Sequence, residues 1–135
     1  MVDDSTGFEP PYPFQAHLGF RQVEWRPDFA RFELPLAEFM ENRYGIPHGG
    51  IYATMLDTVM GFAGCHAPPG APRRLGMTLS MTVNFLSRPQ GRLLICDGFR
   101  TGGGRRSFFA RGEIRDELDT IVATGTGVFR YRSAE

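Results

Sequence analysis

Apolar and polar positions alternate through much of the chain. Over residues 30–36, Ala30, Phe32, Leu34 and Leu36 fall on one side and Arg31 and Glu33 on the other. Period-two alternation predicts a half-buried strand. A second such run pairs Met77, Leu79, Met81, Val83 and Phe85 against Thr78, Ser80, Thr82 and Asn84. Strands are also predicted over 18–25, 92–101, 105–115 and 120–132. Glycines 102–104 and residues 116–119 make the turns between the later ones. In 105–115 one face carries Phe108, Ala110, Gly112 and Ile114. In the last strand it carries Ile121, Ala123, Gly125, Gly127 and Phe129. Small residues on a strand face let a thick element approach closely.

Between residues 49 and 66 the period changes. Ile51, Ala53, Met55, Leu56, Val59, Met60, Phe62, Ala63 and Cys65 surround a helical wheel, with Thr54, Asp57 and Thr58 as the polar exceptions. A helix apolar on nearly all sides is a buried helix. Gly49 and Gly50 stand at its start without an evident side-chain cap, and Pro68 and Pro69 bar its continuation. Residues 37–47 read as a loop with room for one short helical turn. The predicted order is β-β-α-β-β-β-β. Short turns make the final four strands antiparallel, so the sheet must wrap the single helix. That is an α+β chain of the hotdog type, a curved antiparallel sheet around one long central helix. Other one-helix α+β sheets stay open at this point. Residues 1–13, with Pro10, Pro11 and Pro13, read as a flexible N-terminal arm, and 14–135 as a single domain.

Composition narrows the function. The chain has 135 residues, enough for a core without metals or disulfides. A formal net charge of zero gives no bulk grip on nucleic acid or on an anionic membrane. All 15 basic residues are Arg. Schiff-base chemistry and a Walker-type phosphate loop both need a Lys amine and are excluded; Arg is left as the phosphate clamp. Cys65 and Cys96 lie among apolar neighbours and read as small buried hydrophobes, with no zinc spacing. The acidic, Pro-rich start carries no secretory signature and no run reaches membrane-span length, so the expected location is cytoplasmic.

Two features could carry chemistry. Asp57 sits mid-helix between Leu56 and Val59, where a carboxylate is unfavourable unless hydrogen-bonded or used. It is either a base or nucleophile, or a structural aspartate bonded to a loop. Asp97 is a weaker candidate, expected to turn to solvent on its strand. The second feature is His48-Gly49-Gly50 at the helix start. The first N–H groups there have no helical partner, and glycine lets a ligand atom approach them, which makes an oxyanion hole or a plain turn. Gly49 and Asp57 lie about 12 Å apart along the axis. One carbonyl must lie about 3 Å from both its donor and its attacking group. If both groups are catalytic, they come from two antiparallel helices, and hence from two protomers related by a twofold axis.

The segment NRYGIPHGGIYATMLD (residues 42–57) resembles the signature of PaaI-type hotdog thioesterases, the phenylacetate-degradation class. The segments TLSMTVNFLSRP (78–89) and GGGRRSFFARGEI (102–114) and the glycine-rich last strand extend the resemblance over roughly residues 15–131. The resemblance implies an acyl-CoA thioesterase, assembled as a homodimer or homotetramer. It implies no metal and no cofactor beyond the CoA of the substrate. By position, Asp57 matches the general base or nucleophile and Gly49 the oxyanion donor, with Gly50 beside it in the substrate site. Asn42 matches the side chain near the reacting carbonyl, His48 a positional residue, and Thr78 the hydroxyl that bonds the water or carboxylate. Arg88, Arg105 and Arg106 match regions that meet the CoA phosphates, though the family often uses Lys there. The alternatives are a hotdog hydratase or dehydratase, which would pair a His with a carboxylate, and a non-catalytic acyl-CoA sensor on the same fold.

Overall fold

The computed structural model describes residues 6–132. A short helix α1 (Pro13–Leu18) precedes strands β1 (Arg21–Arg26) and β2 (Phe29–Pro35). A 3-10 turn (Glu38–Met40) and helix α2 (Gly49–Ala63) follow, then β3 (Gly76–Phe85), β4 (Leu93–Gly103), β5 (Ser107–Asp116) and β6 (Ile121–Tyr131). The strands form one antiparallel six-stranded sheet in the order β1-β2-β4-β5-β6-β3. This is the hotdog arrangement, with α2 against the inner face.

The depth at which α2 lies is set by missing side chains. Gly98, Gly112 and Gly125 stand in register across β4, β5 and β6. A Cβ at Gly98 would lie 2.4 Å from the Val59 carbonyl oxygen, and one at Gly112 would lie 2.8 Å from Leu56. The helix backbone therefore rests almost on the sheet backbone. Met55, Leu56, Val59 and Met60 are fully buried along that contact, each contributing about 1.5–3 kcal/mol of hydrophobic stabilisation.

Several expectations need correcting. Residues 18–20 are not strand: Pro13 opens α1 and Gly19, at φ 90°, closes it, so β1 begins later. Helix α2 stops at Ala63, because the Trp25 indole N–H donates to the Phe62 carbonyl and the Tyr131 hydroxyl to that of Gly64. Arg105 and Arg106 belong to the β4–β5 turn, since β5 starts at Ser107. Ile121 is part-exposed, because the β5–β6 register shifts between Ile114 and Arg115.

Asp97 is buried, not turned to solvent. Arg31 grips it through two bonds of 2.6 and 3.0 Å, and Arg115 adds a third at 3.0 Å. Burial alone would raise its pKa; the two guanidiniums outweigh that and hold it below the ordinary value. Asp97 is thereby committed to the sheet.

The most consequential correction concerns β3. Its pairing with β6 slips between Thr78 and Ser80, leaving Leu79 as the extra residue of a bulge. Thr78 lies opposite Phe129, Met81 opposite Gly127 and Val83 opposite Gly125. Thr78 therefore shares the inner face with Met81 and Val83, and Met77 turns outward. Simple alternation had put Thr78 on the outer face.

Candidate active site

The first turn of α2 divides its free donors unequally. His48 is the N-cap, with extended backbone at φ −61° and ψ 139°. Its Nδ1 accepts the Gly50 N–H at 2.8 Å, and its carbonyl accepts the Ile51 N–H at 2.9 Å. The helix thus has a side-chain cap after all, supplied by a residue type seldom counted among caps. Gly50 is small because a Cβ there would lie 2.9 Å from His48 Nδ1. The Gly49 N–H has no acceptor among the described residues. It is a free donor at the positive end of the helix dipole.

Around Gly49 lies an open hollow of about 290 Å³ whose wall includes Asn42, Tyr52, Phe85 and Arg88. Asn42 Oδ1 accepts the N–H groups of Tyr44 at 2.9 Å and Ile46 at 3.4 Å, tying the loop before α2. Its amide NH₂ has no acceptor among the described residues and is available to a ligand.

Asp57 lies two turns farther along α2. It is half-buried in the single chain rather than enclosed, and its Oδ1 accepts the Thr78 hydroxyl at 2.5 Å. The β3 bulge makes this bond possible by turning Thr78 inward. The pair opens into a cavity of about 270 Å³, with Thr58, Gly61 and Phe62 of α2 and Cys65 just beyond its end on one side and Phe129 on another. The segment before α1 closes a third side. Tyr12 there bonds Thr58 through hydroxyls 2.6 Å apart, and Glu9 meets Arg73 at 3.7 Å. Burial pushes the Tyr12 phenol up, the Thr58 bond pulls it down, and the nearby Asp57 charge pushes it up further; the net is a raise. Burial drives the Cys65 thiol to about 11, so it stays protonated and is no nucleophile.

The structure thus collects the sequence-derived residues into two groups. Asp57 and Thr78 share one cavity; Asn42, Gly49 and Arg88 share the other hollow. His48 and Gly50 flank the helix start. Arg105 and Arg106 are exposed on the β4–β5 turn and line neither space. Sequence reasoning missed Tyr12, Thr58, Glu9 and Gly61. An aromatic among prolines and a hydroxyl next to Asp57 were the signals present. Among the described residues, no helix is long and apolar enough to cross a membrane.

A curved antiparallel sheet around one long helix, with a carboxylate–hydroxyl pair at mid-helix and a free amide at its start, defines a hotdog protein of the thioesterase type. The sequence profile of the Thioesterase superfamily matches residues 44–123, and the chain belongs to that superfamily. A Mycobacterium tuberculosis protein, Rv1847, described as a candidate esterase, is 25% identical over 118 residues, covering 84% of this chain and 81% of that one. Its solved structure aligns with TM-score 0.82 at 22% identity, covering 92% of this chain and 99% of that one. The Escherichia coli PaaI protein of the phenylacetic acid degradation operon shares the fold with TM-score 0.79 at 17% identity, over 90% of this chain and 85% of that one. So does smu.793 of Streptococcus mutans, solved with acetyl-CoA bound, with TM-score 0.74 at 20% identity, over 86% of this chain and 90% of that one.

Proposed function

We propose that the protein hydrolyses acyl-CoA thioesters to free acid and CoA, at two equivalent sites each shared between two protomers. The observation that carries this is where the half-sites lie on β3. Among the described residues, strand β3 is an edge, bonded only to β6, and it exposes Met77, Leu79 and Phe85. A long apolar edge is a template for pairing with another strand. Thr78, which holds Asp57, stands near one end; Phe85, which abuts Gly49, stands at the other. The two residues are roughly 23 Å apart along the strand. Antiparallel pairing of β3 with its own copy, about the strand's middle, sets Thr78 across from the partner's Phe85. Each Asp57 cavity would then face a free Gly49 N–H, as the helix-length argument requires.

In this assembly the thioester carbonyl accepts the Gly49 N–H of one protomer while Asp57 of the other acts on its carbon. Asp57 either takes a proton from an attacking water, or attacks the carbonyl directly to form a mixed anhydride that water hydrolyses after the thiolate has left, releasing the acid and restoring the carboxylate. Thr78 fixes the carboxylate in both cases, and the Asn42 amide is placed to hold the water or the carbonyl oxygen. Charge gathering on that oxygen is met by the helix start, an effect commonly worth about 3–4 kcal/mol. The tetrahedral species collapses with cleavage of the C–S bond, and the CoA thiolate leaves without needing a strong acid. Arg88, at the Gly49 hollow, is the better-placed phosphate contact; Arg105 and Arg106 would have to reach the substrate from the assembled dimer or tetramer. The acetyl-CoA in the Streptococcus mutans relative supports a CoA ester as substrate. Two unpaired thiols, Cys65 and Cys96, support a reducing, cytoplasmic setting. A hydratase is disfavoured, because His48 Nδ1 is occupied by the cap and His66 is packed edge-on against Trp25.

Thiol release from aryl-, short- and long-chain CoA esters tests the proposal. Wild type should turn over at least one class, and Asp57→Ala and Asp57→Asn should lose about a hundredfold or more, the scale of a removed catalytic base. Tight binding without turnover by the wild type would make the protein a sensor instead.

A further inference from the structure

We propose that the cavity beside Asp57 is the acyl pocket and that Gly61 sets its floor, so that the enzyme selects compact apolar acyl groups. This rests on the thioesterase reading and deepens it. Gly61 lies one turn beyond Asp57 on the same face of α2 and lines the same cavity. A glycine inside a helix costs about 1 kcal/mol relative to alanine, so its presence needs a reason. Nearby glycines have a packing reason. A Cβ at Gly64 would lie 2.2 Å from the Phe108 ring, and one at Gly98 would lie 2.4 Å from a backbone carbonyl. At Gly61 the nearest atom is on the Phe129 ring at 3.6 Å, an ordinary contact. Packing would accept alanine there, and the helix would gain from it. What the methyl group would take up is the cavity.

The surroundings fit an apolar guest. Phe62 and Phe129 form the walls, and Cys65, a protonated thiol, acts as a small apolar group. Tyr12 closes the side opposite the sheet. Its hydroxyl is tied to Thr58 and its ring packs edge-on against Phe20 at 6.1 Å between centroids. Besides Asp57, the charged groups of the lining are Glu9, offset by Arg73 at 3.7 Å, and Arg74, whose guanidinium lies over the Tyr131 ring. The cavity of about 270 Å³, at roughly 30 Å³ for each water-sized group, holds about nine non-hydrogen atoms. A hexanoyl or benzoyl group fills that space, whereas a palmitoyl chain would have to run out of it past Tyr12.

The test compares kcat/KM for acetyl-, hexanoyl-, benzoyl- and palmitoyl-CoA in wild type, Gly61→Ala and Tyr12→Ala, with Tm measured for each. In Gly61→Ala the benzoyl-to-acetyl ratio should fall roughly tenfold or more, the scale of one misplaced methyl group in a fitted pocket, while Tm holds or rises. In Tyr12→Ala the palmitoyl-to-hexanoyl ratio should rise by a similar factor. A lowered Tm in Gly61→Ala would mean that packing does require the glycine, and would overturn the inference. So would an equal loss on every ester, or an unchanged profile in both variants. A wild type that cleaves esters with a profile indifferent to both changes removes the pocket assignment alone; one that cleaves none removes the thioesterase reading with it.

Discussion

At the scale of single residues, the helix start offers a clean separation of side chain from backbone. His48 already has the extended conformation that a following proline demands, at ψ 139°, and proline is tolerated in a first helical turn. Gly49→Pro therefore deletes one N–H and little else of the helix. Gly49→Ala brings a similar Cβ toward Phe85, 3.0 Å away, but keeps the N–H. Gly49→Pro should lose about 10²–10³ in kcat, as when an oxyanion donor is removed, and Gly49→Ala far less; steady-state assays of the pair decide it. The types of these residues were legible in the sequence, because a buried-pattern aspartate and a His-Gly-Gly start stand out against apolar neighbours. Of their hydrogen bonds, the resemblance supplied only that of the Thr78 hydroxyl to the carboxylate or water. The His48 cap is a local bond that turns on one imidazole rotamer, whereas the Tyr12–Thr58 bond depends on how the chain folds back through α1, which no local pattern encodes.

At the scale of elements, the alternation of β2 and β5 was readable because each has one face fully buried. β3 was misread because a single-residue bulge changes which side the chain presents without changing its composition. The β5–β6 turn hides another device. Asp116, fully buried, accepts four backbone N–H groups, from Gln90, Gly91, Leu118 and Thr120. Burial pushes its pKa up, but those donors prevail and bring it from 3.8 to about 2. A pKa lowered by folding adds stability that is fully present above the unfolded value. That stability is lost as pH falls from 3.8 through about 2. Asp116→Asn should cost roughly 1–3 kcal/mol at neutral pH and lose its dependence on pH inside that window. Urea melts at neutral pH and at two points within the window measure both effects.

At the scale of the whole molecule, the wrapped-helix architecture followed from one helix apolar on nearly all sides and four closely spaced strands, whereas the proposed assembly rests on what β3 leaves uncovered. If each site draws on two chains, then Asp57→Ala and Gly49→Pro, inactive separately, should recover activity when unfolded and refolded together. Half of randomly re-formed dimers would be mixed, and each mixed dimer would carry one intact site, giving about a quarter of wild-type turnover for twofold pairing. An inactive mixture that native mass spectrometry shows to contain the mixed dimers would refute sharing. The glycine row under α2 bears on how such sites can move. With main chain seated directly on main chain, the long helix has no clearance in which to slide or roll. If the chain turns over esters at sites shared between two copies, whatever opening lets an ester in and an acid out falls to the strap carrying Tyr12 and to the neighbouring subunit, while the axle between them stays still.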